Sequence, residues 1–157
     1  MMISLFLALA AQTASTKLPP AQALPPPSSD EQAVLAPINA LFETFKTGNS
    51  AAMLRLVYPD GRVTGTGTRP SGSGLRQLSW TEFATHIEPG APFDESISDP
   101  AVEVDGDVAM VWASAVVRVA GKVSNCGIDH FDLVRDKGAW KIMNLTFSSR
   151  MSGCPTE

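Results

Sequence analysis

The residues best equipped for chemistry are gathered in one run, Asn125-Cys126-Gly127-Ile128-Asp129-His130-Phe131-Asp132. It offers an amide, a thiol, an imidazole and two carboxylates. In an extended strand, side chains alternate between two faces. Asn125, Gly127, Asp129, Phe131 and Leu133 then share one face, and Cys126, Ile128, His130, Asp132 and Val134 share the other. Asp129 and His130 therefore point in opposite directions and make no dyad on a regular strand, although a bulge would reverse the assignment. An aspartate in an apolar pocket holds its proton to higher pH and can act as a general base. The plainer role for Asp129 is a structural hydrogen bond near the sheet edge.

Other chemistry-bearing residues point less sharply. His86 falls near the end of a short helical segment, where a cation suits the helix dipole. The segment Gly65 to Gly74 (GTGTRPSGSG) resembles a phosphate cradle only superficially. Pro70 stands where a dinucleotide fingerprint needs its third glycine, and no Gly-Lys-Ser/Thr follows. It reads as a flexible loop beside a pocket. Asn144-Leu145-Thr146 matches a glycosylation acceptor, but it falls inside a strand pattern. The two histidines and two cysteines lack metal-ligand spacing, so neither a metal nor a cofactor is expected.

The elements that must position these groups follow from periodicity. Asp30 is placed to cap a helix whose apolar residues Val34, Ile38, Leu41, Phe42 and Phe45 recur at helical spacing, with Gly48 ending it. Pro37 predicts a kink or restart within it. Ser50 is placed to cap a second helix over Ala51 to Val57, and Arg62 to Thr66 reads as a short strand. Ser79-Trp80-Thr81-Glu82 is a capping box that opens a third helix. From Ala101 the period becomes two, and the turns Asp105-Gly106, Gly121-Lys122 and Asp136-Lys137-Gly138 divide four strands of an antiparallel meander. Asp107 to Val119 is apolar on both faces, as suits a strand covered on each side. Helices segregated to one face of such a sheet make an α+β fold.

The 157 residues are 44% hydrophobic and 18% charged, which fits one globular domain, and the formal charge is -4. Without a basic stripe the chain has no phosphate-binding footprint, so nucleic acid is not an expected partner. Residues 1–14 (MMISLFLALAAQTA) have the short apolar run and small-residue end of a secretory signal peptide. A Pro-rich linker, 15–29, leads to a domain over 30–150 and a tail over 151–157. The expected location is periplasmic or secreted, with no membrane span after processing. In an exported chain, the even cysteine count suggests a Cys126–Cys154 disulfide. If Val134 pairs with Trp140, Cys126 lies opposite Ser148, six residues short of Cys154. Met151-Ser152-Gly153 must then fold back to bring the α carbons within about 7 Å.

Three segments carry a family resemblance. They are the opening helix Val34-Leu35-Ala36-Pro37-Ile38-Asn39-Ala40-Leu41-Phe42 with Gly48-Asn49, the strand Val108-Ala109-Met110-Val111-Trp112-Ala113, and the hairpin from Gly127 to Ile142. Together they resemble the nuclear-transport-factor-2-like superfamily, which includes the SnoaL-like proteins, over about residues 31–149. The resemblance implies a strongly curved sheet forming a cone around a pocket, partly covered by helices, and a homodimer through the sheet. It also implies that the Phe and Leu positions of the hairpin face the helices, which turns Asp129 and Asn125 toward the pocket. His130 and Asp132 then point away. Phe45, Tyr58, Met110, Trp112 and Asn125 are the expected ligand-binding set, with plain core packing as the alternative for Phe45 and Trp140.

Three functions fit. One is an exported protein binding a small apolar or amphipathic molecule in the cone. The second is a cofactor-independent isomerase, dehydratase or cyclase with Asp129 as base. The third is a dimeric interaction module without a ligand. An enzyme requires at least two polar groups converging on the cavity and a raised Asp129 pKa, whereas binding requires one polar anchor.

Overall fold

The computed structural model describes residues 28–155, so the leader and nearly all of the Pro-rich segment lie outside the described residues. Helix α1 spans Ser29–Thr47. Its N-cap is Ser28 rather than Asp30, because Ser28 and Glu31 close a reciprocal capping box. Asp30 sits in the first turn, where its charge complements the dipole. The helix runs through Pro37 without the expected restart. Burial of Val34, Ile38, Leu41, Phe42 and Phe45 outweighs a proline penalty of about 3 kcal/mol. Gly48 ends it with φ 65°. Helix α2, Ser50–Leu56, is capped by Asn49 rather than Ser50, the Asn49 side chain accepting from Ala52 N at 2.9 Å.

The strands are β1 (Arg62–Arg69), β2 (Gly72–Ser73) and β3 (Arg76–Ser79), then helix α3 (Trp80–Ala84), then β4 (Asp94–Asp105), β5 (Val108–Val119), β6 (Lys122–Asp136) and β7 (Ala139–Ser149). One sheet has the order β2-β1-β7-β6-β5-β4, with β3 also paired to β1. The expected meander is present as β4 to β7, and β1 joins β7 in parallel. Two expectations are corrected. The segment read as a loop from Gly65 is strand as far as Arg69 and then folds into a hairpin with β2. The first meander strand begins at Asp94, not Ala101, because a bulge between Ser98 and Ala101 absorbs Pro100 and carries Asp99 at φ 51°.

The core lies between the helices and the concave face of the sheet. Phe42 meets Phe131 edge-on, Phe45 stacks on Phe93, and Trp80 donates its indole N–H to Met143 O at 2.9 Å. The alternation on β6 survives a bulge between Asp132 and Leu133, since the extra residue, Met143, belongs to β7. Asp129, Phe131 and Leu133 are thus all buried on the concave side.

The same register joins the cysteines. The hairpin pairs Arg135 with Trp140, one residue off the expected pairing, and the bulge adds one more. Cys126 therefore lies opposite Arg150 rather than Ser148. Four residues later, past Gly153 at φ 65°, Cys154 reaches Cys126 with a Cα–Cα distance of 5.6 Å.

Candidate functional site

A cavity of about 530 Å³ opens within the cone, beyond the packed core. Its apolar wall includes Val63, Ala115, Val117, Leu145 and Phe147 from the sheet, and Phe83 and Phe93 close it from the helical side. Gly65 lets the Phe147 ring lie against the β1 backbone, because a Cβ at that position would meet the ring.

Asp129 lies on this wall, 2% exposed, and its Oδ2 has no hydrogen-bond partner among the described residues. Burial pushes its carboxyl up to about 7, with no cation among the described residues close enough to offset the loss of water. Asn125 also lines the cavity, and its Nδ2 donates to Ser149 Oγ at 3.0 Å. Ser149 in turn donates to Thr68 O at 2.9 Å, which ties β6, β7 and β1 together beside the site.

The rest of the expected ligand-binding set lies elsewhere. Phe45 is core, 1% exposed, and it backs Phe93 rather than lining the space. Tyr58 is outside the lining, its backbone N donating to Ile142 O at 2.8 Å. Met110 and Trp112 occupy the even positions of β5, whose odd positions Ala109, Val111 and Ala113 are buried. They therefore project from the convex face. Trp112, 52% exposed, lies beside His130 there, and His130 Nε2 is 3.7 Å from Asp132 Oδ1. Trp140 packs partly against the core and carries the Arg135 guanidinium 4.5 Å from its ring centroid.

Two groups join the site that sequence reasoning did not select. Glu95, on the early half of β4, lines the cavity. Burial, then the charges of Asp129 and Asp94, hold its carboxyl well above the usual range. Arg69 enters from the end of β1, with His86 and Arg76 close by, Nε2 to Nη2 3.1 Å. Arg69 was legible as part of a segment beside a pocket. Glu95 was hidden in a stretch rich in Asp, Ser and Pro, residues depleted from strands.

The profile of a family described as "Putative lumazine-binding" matches residues 29–148. The chain belongs to that family. Its solved structural relatives share the nuclear-transport-factor-2-like, cystatin-like α+β cone. A protein of unknown function from Mycobacterium tuberculosis is 18% identical with TM-score 0.65, covering 77% of this chain and 72% of its own. A nuclear-transport-factor-2-like protein from Cytophaga hutchinsonii is 12% identical with TM-score 0.65, covering 78% and 100%. A "putative dehydratase" of the same fold family from Streptomyces avermitilis is 16% identical with TM-score 0.62, covering 79% and 98%. At these identities the likeness is one of fold. No curated protein matches the sequence. Among the described residues no cluster of metal-ligating side chains occurs, and no helix is long and apolar enough to cross a membrane.

Proposed function

We propose that the cone binds a small, largely apolar molecule and that Asp129 is its polar anchor. One observation carries this reading. A cavity of about 530 Å³ has on its wall a nearly fully buried carboxyl group, one oxygen of which has no partner among the described residues. Buried polar atoms are ordinarily hydrogen-bonded, and a ligand donor would complete this one. The description of the family as lumazine-binding supports a small-molecule role. The test is native mass spectrometry of protein purified without denaturation. A bound small molecule is expected on the wild type and much less on Asp129→Asn; an unliganded wild type that also fails to bind apolar probes would refute the reading.

A second reading has its own support. Two carboxyl groups, Asp129 and Glu95, face one cavity, and both hold their protons to higher pH than ordinary carboxylates. That arrangement suits proton transfer to and from a bound molecule, the chemistry of an isomerase or dehydratase. The recovered ligand, incubated in heavy water, should take up deuterium at carbon with the wild type and not with Asp129→Asn.

Export and pairing belong to the same proposal. The Cys126–Cys154 bond supports an oxidising, periplasmic or secreted location, which N-terminal sequencing of protein from cell fractions checks. Exposed Val108 and Trp112 on the convex face support a homodimer through the sheet.

A further inference from the structure

Asp129 is not the only buried polar group at the cavity without a partner. Arg69 also lines it, and its Nη1 is shielded from water with no hydrogen-bond partner among the described residues. The guanidinium is held from two sides. Its Nη2 donates to Gly74 O at 3.3 Å, and its carbon lies 6.0 Å from the Phe147 ring centroid. Neither Arg69 nor Arg76 forms an ion pair with a carboxylate among the described residues. The acid that senses Arg76 is Glu82, whose carboxylate is occupied by the Ser79 cap. His86, next to Arg76, adds no negative charge. The cavity therefore holds guanidinium groups that no carboxylate among the described residues neutralises, while Asp129 stands on β6, two strands away from Arg69 on β1.

The strand register sets the backbone spacing of both arginines from Asp129. Asp129 pairs with Phe147, and Phe147 with Gly65, so the three share one rung. The α carbon of Arg69 lies four residues beyond Gly65 on β1, up to about 13 Å along the strand, and its guanidinium reaches back to 6.0 Å from the Phe147 ring centroid. Arg76 pairs with Gly65, which puts it three strand spacings from Asp129, about 14 Å along the sheet. The apolar surface of Val63, Leu145 and Phe147 lies near this path. A molecule in the cavity can meet the Asp129 carboxyl, the apolar wall and a guanidinium donor together.

Resting on the binding reading above, we propose that the ligand is an amphipathic anion. Its carboxylate, sulfonate or phosphate pairs with Arg69 and Arg76, and its uncharged hydrogen-bonding end meets Asp129. Guanidinium donors match such oxyanions bidentately, and a shielded N–H without an acceptor favours a ligand that brings one. A neutral apolar molecule would leave Arg69 Nη1 unsatisfied, and a cationic one would bring like charge to the arginines.

The test uses two fluorescent probes of one ring skeleton, anilinonaphthalene sulfonate and phenylnaphthylamine, which differ in the sulfonate. They are titrated into the full mature chain and into Val117→Trp, which fills the cavity. The wild type is expected to bind the sulfonate about tenfold tighter than the amine, as one charge-assisted hydrogen-bonded pair implies. Arg69→Gln should bring the two affinities within about twofold by weakening the sulfonate far more than the amine, and Arg69→Lys should retain part of the preference. If Arg69→Gln fails to fold by circular dichroism, Arg76→Gln at its exposed position runs the same comparison. Equal affinity of the wild type for both probes, or equal weakening of both by Arg69→Gln, would overturn the anion proposal and leave the chamber standing. Failure of the wild type to bind either probe, or binding that Val117→Trp does not abolish, would overturn the chamber and the anion proposal together.

Discussion

Asp129 holds its proton because the cavity wall removes water from it and supplies no nearby cation. This has a consequence for stability. An exposed aspartate titrates near 3.8, whereas the folded one titrates at about 7. Between those values the folded state binds more protons than the unfolded state, so stability falls as pH rises through that window. Glu95 is raised as well and acts in the same direction. Asp129→Asn keeps the shape and removes the ionisation. The difference in unfolding free energy, variant minus wild type, should grow in the variant's favour from about pH 4 to about pH 7, on the order of 3 kcal/mol in total. A difference that stays constant or shrinks across the window would contradict the account. That Asp129 faces inward was legible in the sequence, since strand alternation ties it to Phe131 and Leu133. That Met110 and Trp112 face outward follows from the same alternation on β5, but large apolar residues read as lining when the opposite face is assumed covered. Their neighbours across the strands are Asp132 and His130, the outward set of β6.

Among the elements, β6 and β7 set most of the site. Their register puts Cys126 opposite Arg150, and the tail turns at Gly153 to close the disulfide beside Asn125 and Gly127. The bond closes a loop of 28 residues in sequence separation. Cys154→Ser should lower stability by about 3 kcal/mol in thermal unfolding, and a negligible change would contradict a constraining role. Gly65 on β1 makes a second case. A methyl group there collides with the Phe147 ring, which lines the cavity, so Gly65→Ala should push the ring and weaken probe binding several-fold. Unchanged affinity would mean that the ring does not bound the binding space. The helices and the later meander were readable from caps, turns and the switch of period from 3.6 to two. The early half of β4 was not, because Asp94, Ser96, Ser98, Asp99 and Pro100 give no alternating apolar signal and only pairing with β5 makes them a strand. The glycine-rich segment misled in a similar way, since Gly67 is held by parallel pairing with β7, a contact distant in sequence, and Thr68 and Arg69 by the hairpin with β2.

For the whole molecule, the cone presents two surfaces with different uses. The concave surface encloses the cavity, and the convex surface exposes Val108 and Trp112. If two copies pair through that convex face, sedimentation equilibrium should return twice the chain mass, and Trp112→Glu should return the monomer. A wild-type monomer at high concentration would remove the dimer from the account. At this scale the α+β class and the meander were legible from element order and the cone from the family resemblance, whereas the cavity's charges depended on strands meeting across the sheet. The central claim is that the concave side is a ligand chamber anchored at Asp129. A crystal structure of the protein, purified without stripping bound molecules, decides it. Ligand density is expected to run from the Asp129 carboxyl toward Arg69, within hydrogen-bonding reach of Asp129. A cone filled by its own side chains, with Asp129 satisfied by protein groups, would contradict it.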